Sequence, residues 1–323
     1  MKKMNQLLKV SSYAFLMSGL ILFTGCNKDE DTPNPSNTIT DAVVNNSDFS
    51  ILESAVIKAN LQATLSGAGP FTVFAPNNAA FAASGINDAA LNSLAPAQVE
   101  AILLYHTLSS NVPAASVPAG PNAKVITAGG DSVFVTKNAS GVYVNGVKVE
   151  QADITASNGT IHQIGRVLMP PTGNIVATAQ APGSGLDSLV KAIVRANNGA
   201  GGDPNLIATL QNATITVFAP TNAAFTQLLQ ALSLTDINQI PVSTLLSVLR
   251  YHVVGGRAFS SDLANGNLAM LAGGNTTINL TNGTGGSPTI TGNGNSGNRS
   301  NIVGTNVMAR NGVVHVIDRV LLP

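Results

Sequence analysis

The sequence predicts two α+β domains in tandem, each with its helices early and its strands late. Two observations carry that prediction. The first is a duplication. Thr72–Phe81 (TVFAPNNAAF) returns as Thr216–Phe225 (TVFAPTNAAF), nine of ten positions identical at an offset of 144. Tyr105-His106 returns as Tyr251-His252, and Asn158–Pro170 as Asn311–Pro323, at offsets of 146 and 153. The order is kept while the offsets drift, as expected of a duplication with small insertions. A period this long is no solenoid unit, so each copy needs its own core. The second observation is that, within each copy, apolar residues first recur at helical spacing and later alternate as in strands.

Taken in order, the elements read as follows. Leu186, Leu189, Val190, Ile193 and Val194 form one helical stripe, and Phe49–Asn60 aligns with it in the first copy. Val73–Pro76 reads as a buried strand ending at a proline that cannot donate to a ladder. Asn77 or Thr221 and then Asn78 or Asn222 lead into a helix, where a polar side chain can cap free N–H groups. Pro96 suits a first helical turn, and Val99, Ile102, Leu103 and His106 keep helical spacing after it. Ser132–Thr136 and Val142–Val144 are short strands. Asn145-Gly146 makes a tight turn into Val147–Val149, because both residues tolerate positive φ. The last strand is expected over Ile161–Leu168 and again over Val313–Leu321. The Pro- and Gly-rich stretch between the copies places a linker at 172–182, between domains at 41–171 and 183–323. The glycine-rich run Asn282–Ser300 lacks the following lysine and helix of a phosphate cradle and reads as a mobile surface loop.

Of the 323 residues, 44% are hydrophobic and 10% charged, which supplies cores and excludes a disordered chain. Net charge is zero and no basic run follows the first residues, so a nucleic-acid partner is not expected. Carboxylates are scattered without a glycosidase-like pair, and no nucleophile elbow, phosphate loop or zinc-protease helix appears. Cys26 is the sole cysteine, so no disulfide can form within the chain.

Residues 1–25 have the plan of an export signal: Lys2, Lys3 and Lys9, then the apolar Tyr13–Phe23. Leu22-Phe23-Thr24-Gly25-Cys26 resembles the lipobox of bacterial lipoproteins, with Phe23 where a leucine is usual. That resemblance implies lipidation at Cys26; a secreted protein cleaved nearby, or a buried free thiol, is the alternative. Residues 26–40 read as a tether. Its Lys28-Asp29-Glu30-Asp31 run resembles a surface-export signal of Bacteroidetes lipoproteins, against the plainer reading of a polar spacer. Without residues 1–25 the chain carries 13 basic and 16 acidic residues, a net charge of −3. The sequence closes on its last motif, so attachment is expected to run through Cys26, to the bacterial outer membrane and its outer surface.

The three spaced motifs (strand-Ala-Pro-Thr/Asn-Asn-x-Ala-Phe, a helix ending in Tyr-His, and Asn-Gly-x-x-His-x-Ile-x-Arg-Val-Leu-x-Pro) resemble those of the fasciclin domain, and both copies carry all of them. The resemblance implies, for each copy, a β-wedge packed against several helices, and a role in extracellular adhesion without catalysis or cofactor. It makes Pro76, Asn78, His162, Pro220, Asn222, His315 and Asp318 structural motif residues, and Tyr105, His106, Tyr251 and His252 candidate partner contacts. All four histidines are motif residues. No motif carboxylate besides Asp318 stands near them, so buried hydrogen bonding is expected of them before metal binding. Asp318 could pair with Arg319; Gly165 replaces the acid in copy one, which is then expected to be the looser. The expected function is a surface-anchored adhesion protein binding an extracellular protein or polysaccharide. The alternatives are a glycan-binding accessory and a passive envelope spacer.

Overall fold

The computed structural model describes residues 37–323. The signal segment, Cys26 and most of the tether therefore lie outside the described residues. In the first domain α1 (Ile39–Val44), α2 (Ser50–Lys58) and α3 (Gln62–Leu65) precede β1 (Phe71–Pro76). Then come α4 (Asn78–Ala83), α5 (Asp88–Ser93), α6 (Pro96–Tyr105), β2 (Thr107–Leu108) and β3 (Gly120–Ile126). The domain ends with β4 (Ser132–Asn138), β5 (Gly141–Val144), β6 (Val147–Ala156) and β7 (Gly159–Ile164). The helix starts are chemically marked. Thr38 and Asp41 cap α1 reciprocally, and Asn77 Oδ1 accepts from Ala80 N at 2.7 Å to cap α4.

The second domain repeats this order, with a 3-10 turn at Ile237–Gln239 where the first has α5. It runs α7 (Ile175–Gln180), α8 (Asp187–Asn198), α9 (Leu206–Asn212), β8 (Ile215–Pro220), α10 (Asn222–Ala231), α11 (Val242–Arg250) and β9 (Val253–Gly255). The strands β10 (Gly266–Ala269), β11 (Asn275–Asn279), β12 (Thr289–Gly292), β13 (Ser300–Ala309) and β14 (Gly312–Ile317) complete it. Each domain builds one seven-stranded sheet, β2-β1-β7-β6-β5-β4-β3 and β10-β11-β12-β13-β14-β8-β9. All neighbours are antiparallel except β1 with β7 and β8 with β14. Alternation then divides the core. Val73, Ala75 and Ile161 face the helices, whereas Phe74 and Ile164 face the opposite side with Tyr105, Leu108, Val133 and Val144.

The structure departs from the sequence reading in three places. Residues 172–182 are not a linker: they hold α7, whose Ile175, Val176 and Ala179 are buried in the second core. The Pro/Gly signal is real but marks the turns on either side of one apolar helical turn. The last strands stop at Ile164 and Ile317, several residues early. Beyond that point the backbone is satisfied by side chains instead of a ladder: Val167 N donates to Ser84 Oγ and Leu168 N to His106 Nε2, each at 2.9 Å. The glycine-rich run is no mobile loop either. It contains β12, paired on both sides, and Asn295, which donates to Val320 O and accepts from Leu322 N.

One side chain per domain ties the early helices to the late strands. Asn158 Oδ1 accepts from Ile39 N at 2.9 Å, while its Nδ2 donates to Leu65 O and Gly67 O at 2.8 Å. Asn311 does the same with Ile175 N, Leu210 O and Ala213 O. The glycine after each asparagine allows the parallel strands to approach. A Cβ at Gly159 or Gly312 would overlap the carbonyl oxygen of Phe71 or Ile215. Replacing Asn158 by Ala leaves three backbone groups without partners. A fully buried unsatisfied group costs roughly 1–3 kcal/mol. These three are only partly buried and water can take up some of the loss, so Asn158→Ala should lower stability by about 2–4 kcal/mol in urea denaturation. Asn311→Ala should match it.

Candidate functional site

The Tyr-His motifs end α6 and α11 and point inward. Tyr105, His106, Tyr251 and His252 are each no more than 2% exposed. His106 Nδ1 meets Ile102 O at 2.7 Å while Nε2 accepts from Leu168 N. His252 repeats this with Val248 O and Leu321 N. Because an amide N–H donates to each Nε2, the ring proton sits on Nδ1. Tyr105 donates to Ser132 O at 3.0 Å and accepts from Asn145 Nδ2 at 2.9 Å. Tyr251 donates to Asn275 O. As candidate partner contacts these four residues are therefore corrected. They stitch the helix end to the closing segment and the wedge, and reach no outside surface.

The other two histidines are also internal. His162 Nε2 meets Val112 O at 2.9 Å and Nδ1 accepts from Asp153 N; His315 Nε2 meets Ala258 O at 2.9 Å. Each stacks on the phenylalanine of the neighbouring parallel strand, Phe74 or Phe218. Pro76 and Pro220 close β1 and β8, and the asparagines after them clamp a helix start. Asn78 Oδ1 accepts from Ile51 N, and Asn222 Oδ1 from Ser188 N. Asp318 does not pair with Arg319. It accepts from Asn301 N and Asn301 Nδ2 at 2.7 Å and from Ser300 Oγ at 3.2 Å, fastening β13 to the chain after β14. In the first domain Glu150 reaches toward the same place. A Cβ at Gly165 would come within 2.6 Å of its Oε1, so an aspartate there would meet a second carboxylate.

Sequence reasoning missed the junction between the domains. Arg257, after β9, lays its guanidinium 4.1 Å from the centroid of the Phe134 ring on β4. Its Nη2 donates to Arg310 O, and its own carbonyl accepts from Asn122 Nδ2 at 2.7 Å. Thr136 Oγ1 donates to Asp262 Oδ1 and Asn138 Nδ2 to Ser261 O. Phe134 also packs against a small cluster of Phe259, Met308 and Val313. A signal existed in the repeat itself. Arg257 aligns with Asn111, which spends its side chain inside the first domain by accepting from Thr160 Oγ1. Where the copies differ, the second reaches across to the first.

Two predictions arise from this geometry. Burial, only partly offset by the backbone hydrogen bond, pulls His106 and His252 down to about 4 from 6.5. The unfolded chain therefore binds more protons between those values. The stabilisation is complete above pH 6.5 and is lost as pH falls toward about 4, at about 1.4 kcal/mol per unit for each histidine. Urea midpoints should already fall in the upper part of that window, between pH 6.5 and about 5, above the ordinary carboxylate range. At the junction, Phe134→Ala removes a ring and the seat of a half-buried cation. It should cost about 2–4 kcal/mol and broaden the distance distribution between spin labels placed one on each domain.

Comparison with known proteins agrees with the repeat. A family model described as "Fasciclin domain" matches residues 47–170 and 197–323. The chain is similar to Protein sll1483 of Synechocystis sp., 41% identical over 136 residues, which is 42% of this chain and 74% of that one. It is similar also to Transforming growth factor-beta-induced protein ig-h3 of Sus scrofa, 34% identical over 137 residues. That match takes in 42% of this chain and 20% of the relative. Among solved structures it is similar to a FAS1 domain pair from the insect cell adhesion molecule Fasciclin I. There the identity is 18% and the TM-score 0.40, over 86% of this chain and 98% of that one. With one family match on each copy of the repeat, the chain belongs to the fasciclin domain family as a tandem pair of such domains.

Proposed function

We propose that the protein is a surface-anchored adhesion protein, held to the outer membrane through a lipid on Cys26, that binds an extracellular protein or polysaccharide with its two domains together. Fasciclin domains are associated with cell adhesion and extracellular partners. The observation that carries the finer reading is the packed junction. Arg257 on Phe134, with three side-chain hydrogen bonds across the seam, presents the outer loops of both domains as one unit. Two weak sites presented together gain avidity without new contacts. The tyrosines and histidines of the motifs are internal, so partner contact falls to exposed loops and sheet edges. Among the described residues no helix is long and apolar enough to cross a membrane.

A binding screen tests this, with the chain lacking residues 1–25 offered to immobilised matrix proteins, glycans and intact cells. Saturable binding that weakens in the Phe134→Ala protein is the expected result. Binding confined to glycans would favour a glycan-binding accessory, and no binding to any of the three would favour an envelope spacer. In cells, Cys26→Ala should release the protein from the membrane fraction.

A further inference from the structure

Each domain keeps an apolar cavity at the same place, under its first three helices. The first is about 150 Å³ and the second about 120 Å³. Their walls share an apolar set at equivalent positions: Leu52 with Leu189, Val56 with Ile193, Leu65 with Leu210. Interiors are otherwise close-packed, and an unfilled space of this size is destabilising. The duplicated copies have diverged in sequence over most of their length, yet neither has filled the space with a larger side chain. A dry apolar cavity of about 150 Å³ accepts a guest the size of benzene.

The mouths are equally telling. Ile57 and Val194, aligned on α2 and α8, line them and are 52% and 42% exposed, a large apolar surface left to water beside an apolar hole. The polar groups beside them are Thr40, Gln62 and Glu53 in the first domain and Gln180 and Gln211 in the second. Neither lining contains a lysine or arginine. A chain bearing a carboxylate would meet no cation in either domain, and would meet the Glu53 carboxylate in the first. A neutral headgroup meets amides and a hydroxyl that can hydrogen-bond to it.

From this we infer that each domain binds the end of a neutral aliphatic chain, of the long-chain alcohol or ester class, with the hydrocarbon in the cavity and the polar end at the rim. The inference is independent of which partner the outer loops engage.

The test uses the chain lacking residues 1–25, with 1-octanol and octanoate as probes, and follows the melting temperature and NMR methyl shifts of the lining residues. Octanol should raise the melting temperature in a saturating manner, as mass action requires of a ligand bound to the native state, and shift Leu52, Val56, Leu189 and Ile193 methyls. Octanoate should bind more weakly. The double variant Val56→Phe/Ile193→Phe fills both cavities and should lose the octanol response. Should that variant not fold, Glu53→Lys, a change at the rim, keeps the inference testable. It should strengthen octanoate binding to the first domain about fivefold, the size of an exposed charge interaction, and leave the second domain unchanged. The inference is overturned if octanol produces no saturable shift, if its shifts fall outside the cavity residues, or if neither variant changes the response.

Discussion

The parallel contact between the first and last long strands of each domain is the constraint on which the rest depends. β1 and β7 are joined through more than 80 residues of chain, yet pair in register from Phe71 with Gly159 to Pro76 with Ile164. Closing so long a loop is entropically costly, and parallel pairs cannot be made by a hairpin. Every motif that recurs in the sequence serves this closure. The Thr-Val-Phe-Ala-Pro segment is one strand and the His-containing segment the other. The glycine at the start of the second strand lets the backbones meet, and its asparagine holds the helices against them. The Tyr-His pair sits where the closing segment leaves the sheet and needs an acceptor for its amide. The rest of the domain is hung on the two faces of this pair.

The architecture was legible because the duplication printed it twice. Repeats gave the domain count, the alternation in Val73–Pro76 gave a strand, and Asn145-Gly146 marked a hairpin turn whose residues do take positive φ, at 47° and 74°. The failures have local causes. α7 is six residues long and flanked by Pro and Gly, too short for a 3.6-residue period to show above its punctuation. β12 draws its stability from neighbours on both sides, and a Thr/Gly-rich segment carries little propensity of its own. Past Ile164 and Ile317 the chain leaves the ladder at Gly165-Arg166 and Asp318-Arg319, before the apolar Val-Leu pair that suggested a longer strand. Leu168 N and Leu321 N donate instead to His106 and His252, acceptors that only the folded chain brings within reach.

The motif histidines all meet internal hydrogen-bond partners; the tyrosines and histidines at the helix ends, candidates for contact, are internal. A motif records what the fold needs as readily as what a partner touches. Here it records the fold. The contact between the two domains lies instead where the copies have diverged, at Arg257 against Asn111. Divergence between the copies locates the domain junction, while the motif residues common to both are held by the shared scaffold.

The position of α7 bears on how the halves can be studied apart. The visible seam, with its glycines at 183 and 185, invites separation just after the residues that seem to be linker. A second half beginning there would lack the helix that Asn311 grips through Ile175 N and would open one wall of its own core. Weak binding by such a fragment would report a damaged domain and be mistaken for lost cooperation between two intact ones. The natural division lies earlier, between Pro170 and Asn174. There the chain crosses from one domain to the other in a few residues, and Gly173 O already accepts from Arg310 N of the second.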